Sequence, residues 1–388
     1  PRSTPHSTLF PSTTLFRSGN YAIVQPTGVT ADITPASLTV TGLSGGSRVY
    51  NATDIAALSG TASLSGVLAL DVVTPVNTTS GTFDSKNVGT AKPITTAITL
   101  SGTDAGNYVV VQPSGLSADV TKADLAVTGV TANNRTYDST TVATLGGLAT
   151  VTGFIGDTVN VSGSGTGAFA NPNVGNVKPV TVSGFSLSGA DALNYNVLQP
   201  TGLNADITPA ALTLNAASDS RVYDGTINSS GTVTPSGLYG SDSVTGATQS
   251  FASRHVMGAN ASTLQVNAGY TVNDGNGGNN YTLTTNTAAG TITPASLTVS
   301  TTSVNRVYDT TQNAAGSAIV TGGVLYVTDT ISGGTFQFAS KNAGTNVTVN
   351  VSGVTVNDGN AGNNYAVTYA ANNTSNITKA DLVVTGVT

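Results

Sequence analysis

The chain has 388 residues, a net charge of −6, 8% charged residues, two histidines, and neither cysteine nor tryptophan. Disulfides, thiolate metal sites and thiol nucleophiles are therefore excluded together. The 13 basic residues are scattered rather than striped among aromatics, which argues against nucleic acid as a partner. No apolar run approaches the roughly 20 residues that cross a bilayer as a helix.

In chain order, residues 1–18 ("PRSTPHSTLFPSTTLFRS") contain no Gly or Val and share nothing with the later text. Their wording resembles a translated sequencing adapter, so they are expected to be non-native and are set apart from the fold. From residue 19 onward the chain writes one module repeatedly. Residues 19–35 read as the tail of a preceding copy. Complete copies are expected at 36–122, 123–209, 210–294 and 295–379, and 380–388 read as the start of a further one, as in a longer array.

Three markers define the period. Tyr50, Tyr137, Tyr223 and Tyr308 stand 87, 86 and 85 residues apart, in "SRVYNATDI", "NRTYDSTTV", "SRVYDGTIN" and "NRVYDTTQN". Asn-Tyr pairs end at Tyr21, Tyr108, Tyr195, Tyr281 and Tyr365. The "ADITPASL" group at 31–38 returns as "ADVTKADL", "ADITPAAL", "GTITPASL" and "SNITKADL". Modules one and two carry Gln-Pro after Asn-Tyr, whereas modules three and four carry "NDGNGGNNY" and "NDGNAGNNY" and lack it.

Within a module the periodicity is that of strands. "SLTVTG", "KPVTVSGFSLSG" and "NVTVNVSGVTV" alternate apolar and polar residues, and Gly, Asn, Asp and Ser cut such runs every eight to twelve residues. No window carries a 3.6-residue apolar stripe. The expected fold is all-β, a tandem array of small Ig-like β-sandwich modules, with β-grasp-like modules carrying one short helix as the alternative. Modules join through "ITPA" or "ITKA" with no flexible linker, stiffened by Pro35, Pro209 and Pro294, so an extended rod is expected in which each module touches only its neighbours.

The recurring phrases offer few chemical sites. In "RVYDGT" a strand ends in an Asp-Gly turn, with Arg and Tyr on one face, Val on the other, and Arg expected on or beside the Tyr ring. A ligand-holding Arg–Tyr–Asp cluster is the rival, and Asn51 weakens it by replacing Asp138, Asp224 and Asp309. The Asn/Asp/Gly loops around Asp274 and Asp358, and Asp104 and Asp191 at the matching places, read as turns, with weak calcium binding as the alternative. Phe83, Phe169, Phe251 and Phe338 read as core anchors. Lys86 and Lys341 suggest a Lys–Asn cross-link, but module three has no lysine, so the device cannot be general. His255 occurs in one copy of four, which leaves Ser–His–Asp catalysis without a repeated base. Paired-carboxylate glycosidase chemistry has only Asp to draw on, since Glu is absent. The expectation is no enzyme and no catalytic, cofactor or metal residues, with ligand residues unassigned.

Taken together, "RVYDGT", "FxSKNVG" and "SGADALNY…QPTG…ADITPA" resemble the YDG repeat domain over residues 19–388. The match is best in module two, at Tyr137–Asp138, Asn173–Gly175, Asp191–Tyr195 and Ala205–Pro209. Asn51, Pro172 in the lysine position, and the missing Gln-Pro of modules three and four depart from the pattern. The resemblance implies a large bacterial surface protein similar to filamentous haemagglutinin-type adhesins, exported to the cell surface and acting in adhesion or biofilm. It does not imply a receptor and supplies no catalytic residues; the partner expected is a host or matrix glycan or protein engaged by other domains. The leading functional expectation is a stalk, and the alternative is modules that bind glycan or host protein through exposed tyrosines.

Overall fold

The computed structural model of the chain describes Val24 and residues 27–386. The readings of residues 1–18 and of Tyr21 fall outside that range. The protein is all-β, as a sequence dominated by β-branched Thr and Val and interrupted by Gly should be. Among the described residues the only helical segments are two single 3-10 turns, Ala105–Asn107 and Ala192–Asn194, each just before a tyrosine. The short helix of the β-grasp alternative is therefore not found among them.

Two parallel pairings recur in every module and define it. The opening strand pairs with the Asn-Tyr strand, Ala36 opposite Tyr108, Ala123 opposite Tyr195, Ala210 opposite Tyr281 and Ala295 opposite Tyr365. The Arg-x-Tyr strand pairs with the closing strand, Arg48 opposite Val120, Arg135 opposite Ile207, Arg221 opposite Ile292 and Arg306 opposite Ile377. Both ladders join segments about seventy residues apart, so a module closes only when its two ends meet.

Antiparallel strands fill the rest. In module one the eleven-residue strand Ile55–Ser65 pairs with Ser80–Phe83 at one end and with Ala36–Gly45 at the other, which fuses both layers into one seven-stranded sheet and leaves Thr74–Val76 and Thr99–Ser101 as a separate pair. In modules three and four the two layers separate into three- and four-stranded sheets. Alternation then sorts the side chains, so that Leu38 and Val40 are buried while Ser37, Thr39 and Thr41 face out.

The chain forms two compact units, and the division runs through module two rather than between modules. Among the described residues, unit one runs as far as 133 and takes in 142–169 and 179–204, and unit two comprises 134–141, 170–178 and everything from 205 onward. In unit one the core gathers Tyr50, Phe83, Ile94 and Val120 of module one with Leu125 and Tyr195 of module two. In unit two the same arrangement places Tyr223, Phe251, Leu264 and Ile292 of module three against Leu297, Val299, Val356 and Tyr365 of module four. A smaller cluster of Val304, Phe338, Val349 and Ile377 belongs to module four alone.

The cores thus sit across the boundaries of the sequence repeat. One residue separates the closing strand of a module from the opening strand of the next, Ser117–Thr121 from Ala123–Ala126 and Ala288–Thr293 from Ala295–Thr301. The chain leaves the second layer of one module and enters the first layer of the next, and the apolar faces of those layers meet. A junction between modules is therefore hydrophobic interior rather than a polar contact between finished beads.

Candidate functional site

The recurring phrases converge on these seams. Their first element is the turn after each motif tyrosine. Asp138 Oδ1 accepts the backbone N–H and the hydroxyl of Thr140, and Asp224 and Asp309 do the same with Thr226 and Thr311. Asn51 Oδ1 accepts both groups of Thr53, so an uncharged amide closes the same turn. Arg135 and Arg306 bridge back to the turn Asp and to the carbonyls of Thr140 and Thr311. The arginines do not lie on the tyrosine rings as expected. Arg48, Arg221 and Arg306 lie over Phe83, Phe251 and Phe338 at 5.5, 6.0 and 4.8 Å, because the tyrosine turns away into the seam.

There three of the four motif tyrosines, Tyr50, Tyr137 and Tyr223, enter the following module. The Tyr50 hydroxyl donates to Asp157 at 2.8 Å, Tyr137 to Asp242 at 2.8 Å and Tyr223 to Asp329 at 2.8 Å. The tyrosine of the next Asn-Tyr pair reaches the same carboxylate from the other side, Tyr195 at 2.6 Å, Tyr281 at 2.7 Å and Tyr365 at 2.8 Å. The two rings meet nearly edge to face in every case, with centroids 5.3–5.4 Å apart at 76–78°. Tyr50, Tyr137 and Tyr223 are at most 2% exposed. Each such ring removes roughly 150–250 Å² from water, worth at most about 4–6 kcal/mol.

A second contact runs the opposite way across each seam. The Asn of the Asn-Tyr pair accepts a backbone N–H from the preceding module's loop, Asn194 from Val88 at 3.0 Å, Asn280 from Val174 at 2.9 Å and Asn364 from Val256 at 2.9 Å. These asparagines are nearly inaccessible, and a buried loop N–H without such a partner would be costly. In modules three and four the Asn is held by its own loop. Asp274 accepts the N–H groups of Asn276, Gly278 and Asn280, and Asp358 those of Asn360, Gly362 and Asn364. Both carboxylates are thereby committed to turn geometry. Among the described residues no group of three or more His, Cys or Asp side chains gathers as a metal site would.

The cation at the seam varies. Lys86 Nζ stands 2.5 Å from Asp157 and 2.8 Å from Asp191, pairing two carboxylates rather than meeting an asparagine side chain. Arg254 is 3.9 Å from Asp329. Pro172 occupies the matching place in module two, and among the described residues no cation pairs with Asp242. Burial first, then the hydrogen bond to the seam carboxylate, pushes the hydroxyls of Tyr137, Tyr195 and Tyr223 up to about 12. Burial opposes ionisation of Asp157, but Lys86, Tyr195 and Tyr50 together hold its carboxyl below the usual range. Hydrogen bonds to Asp157 and then Asp191 raise Lys86. Tyr137, Tyr195, Tyr223, Asp157 and Lys86 are each shifted toward the protonation state they already hold at neutral pH.

The motif tyrosines, the Phe-containing loops, Lys86 and the Asn-Tyr pairs stand out in the sequence, and the structure brings them together. Their common acceptor escapes a reading of the motifs. Asp71, Asp157, Asp242 and Asp329 repeat at 86, 85 and 87 residues, each three after a large residue, Leu68, Phe154, Tyr239 or Tyr326. That spacing is the signal that could have found them. It makes a turn in which the large residue's carbonyl accepts the Asp N–H while its own N–H donates to the Asn-Tyr hydroxyl. His255, unsuited to act as a repeated base, contacts Asn364 at the third seam.

No curated protein matches the chain. Among solved structures, Drosophila N-cadherin EC1-4 aligns over 81% of this chain and 94% of that one at 9% identity, but with a TM-score of 0.22 the likeness carries no argument. The YDG domain, by contrast, matches four times in tandem, at residues 34–115, 121–202, 208–288 and 293–374. With the match spanning most of the chain and the motif tyrosines closing seam after seam, the protein belongs to the YDG-domain family as a tandem repeat array.

Proposed function

We propose that this array is a non-catalytic spacer of a bacterial cell-surface adhesin, supporting adhesion or biofilm by holding binding domains away from the cell. The observation that carries this reading is the seam itself. Three successive junctions are closed by a buried tyrosine pair on one carboxylate with a single residue of linker, a construction suited to resisting bending and pulling. The adhesin setting rests on the family resemblance. The absence of catalysis is supported by the direction of the shifts, since active sites tune groups toward the working pH and these are tuned away from it. Ligand recognition is assigned elsewhere, a reading supported by the burial of the motif tyrosines Tyr50, Tyr137 and Tyr223 in the seams.

Small-angle scattering of the whole chain tests the spacer. A compact globule of this length has a radius of gyration of about 21 Å. The spacer reading expects at least twice that, with little change when ionic strength is raised. A compact profile would sink it.

A further inference from the structure

Beside the tyrosine latch each seam carries a second buried contact, and at one seam its acceptor can titrate. The side-chain amide of the Asn-Tyr asparagine faces a residue of the preceding module's loop. Asn194 Nδ2 donates to Asn87 Oδ1 at 3.0 Å, and Asn280 Nδ2 donates to Asn173 Oδ1 at 3.3 Å. At the third seam His255 takes the acceptor's place, with Nδ1 3.0 Å from Asn364 Nδ2. Asn194, Asn280 and Asn364 are at most 3% exposed, so none can exchange a lost partner for water while the seam stays shut.

The backbone decides which way round the Asn364 amide lies. Its Oδ1 accepts the Val256 N–H at 2.9 Å, from a group that can only donate. Its Nδ2 donates to the Asp358 carbonyl at 3.3 Å, a group that can only accept. Asn360 Nδ2, which also donates to the Val256 carbonyl, gives Oδ1 a second donor. Reversing the amide would break these contacts, so the atom facing His255 Nδ1 is an N–H, and Nδ1 must offer a lone pair. The ring is therefore neutral, with its proton on Nε2. Protonation would set N–H against N–H in a buried contact. A ring flip cannot restore it, since both nitrogens of an imidazolium are donors. The neighbouring charges do not reverse this. Arg254, adjacent in the chain, already supplies a cation 3.9 Å from Asp329. The ring rests on the loop that carries Asp358, where a Cβ at Gly359 would lie 3.5 Å from Cε1. Both oxygens of Asp358 are taken by the N–H groups of Asn360, Gly362 and Asn364, and among the described residues no carboxylate pairs with His255.

We propose that His255 makes the third seam acid-sensitive, a junction that holds at neutral pH and loosens as the imidazole takes up a proton. The first two seams, where Asn87 and Asn173 accept instead, do not share the response, because an amide has no proton to gain in this range. An imidazole changes charge between about pH 5 and 8, so the contact is complete toward the upper end of that range and is lost as pH falls through it. The junction between modules three and four is then a built-in weak point in mild acid. This inference rests on the Asn364–His255 contact and holds whether or not the array is a spacer.

Hydrogen exchange of the full chain, read by mass spectrometry at about pH 7.5 and about pH 5 and corrected for intrinsic rates, tests it. Protection of peptides spanning 252–258 and 358–366 should fall about tenfold more than that of the first-seam peptides around Asn87 and Asn194. A single imidazole of ordinary pKa can supply at most about thirtyfold at that acidity. His255→Asn, which installs the side chain used at the other two seams, should remove the difference. Nitrogen-15 NMR of the full chain at about pH 7.5 should show the Nε2–H tautomer for the ring whose signals disappear in His255→Asn. Third-seam protection that tracks the first seam between the two pH values, a fall that persists in His255→Asn, or an Nδ1–H tautomer would each overturn the proposal.

Discussion

Where module one meets module two, the Asp157 carboxylate takes two tyrosine hydroxyls and a lysine. Where module two meets module three, Asp242 takes two tyrosine hydroxyls and Pro172 stands where the lysine would be. Ring geometry is nearly the same at both, 5.3 Å and 78° against 5.4 Å and 78°. The cation is therefore not what closes a seam. The aromatic pair and its shared acid are the common part, and they suffice because two hydroxyls aimed at one carboxylate satisfy it without a counter-charge. A lysine added to that arrangement sets how the junction responds to pH and salt, since it couples the buried acid to a second carboxylate and to solvent.

The largest test of this comparison removes the acids. Asp157→Ala strands two buried hydroxyls and leaves Lys86 with Asp191 alone, and Asp242→Ala strands two hydroxyls, with expected losses of about 3 and about 2 kcal/mol. Urea denaturation followed by tyrosine fluorescence measures both. Equal losses would mean that Lys86 adds nothing to the first seam.

Removing the cation comes next. Lys86→Met should cost about 1 kcal/mol, discounted because the side chain is one-third exposed, and its main effect should be on acid unfolding. The folded Asp157 carboxyl lies below its ordinary 3.8, so its stabilisation is complete above that value and is lost as pH falls through the folded value. Without Lys86 the folded value rises, and the acid midpoint of unit one should move up. A midpoint unchanged by the substitution would contradict the role given to the lysine.

Alkaline titration should show the two seams alike. Tyr195 and Tyr137 ionise only near 12 when folded, against an ordinary 10.0, so both junctions keep their stabilisation below 10.0 and lose it as pH rises from there toward 12. Tyrosinate absorbance should reveal a late-titrating class that merges with the rest in urea. The smallest effect lies in the turns leading out of each motif. Ala52 and Ser139 hold φ of 63° and 64°, where module three uses Gly225 at 77°. Ala52→Gly should stabilise by about 0.5 kcal/mol, the relief of left-handed strain less the added freedom of the unfolded chain. Destabilisation by this change would show that the Ala52 methyl, which packs against the seam core, outweighs the strain.

Much of this is readable from residues alone. Strand character, the module period and the burial of Phe83, Phe169, Phe251 and Phe338 follow from β-branched composition, regular spacing and the size of aromatic side chains. Asn51 departs from the motif, and its meaning is local, since an amide oxygen closes the same turn as a carboxylate. The partner of the tyrosines is not readable in the same way. Asp157 stands 107 residues from Tyr50, and no local pattern links an acid in one copy to a ring in the copy before.

The same limit applies to strand formation: "ADLAVTG" at 123–129 supplies strands because Tyr195–Leu198, about seventy residues on, lies beside it. What each module is made of and how often it recurs are set by the residues themselves, because those properties are local and periodic. The place of the core, across the repeat boundary rather than inside it, is a tertiary outcome. The last strand of one copy and the first strand of the next must bury their apolar faces against each other, and that pairing exists only once both modules have closed.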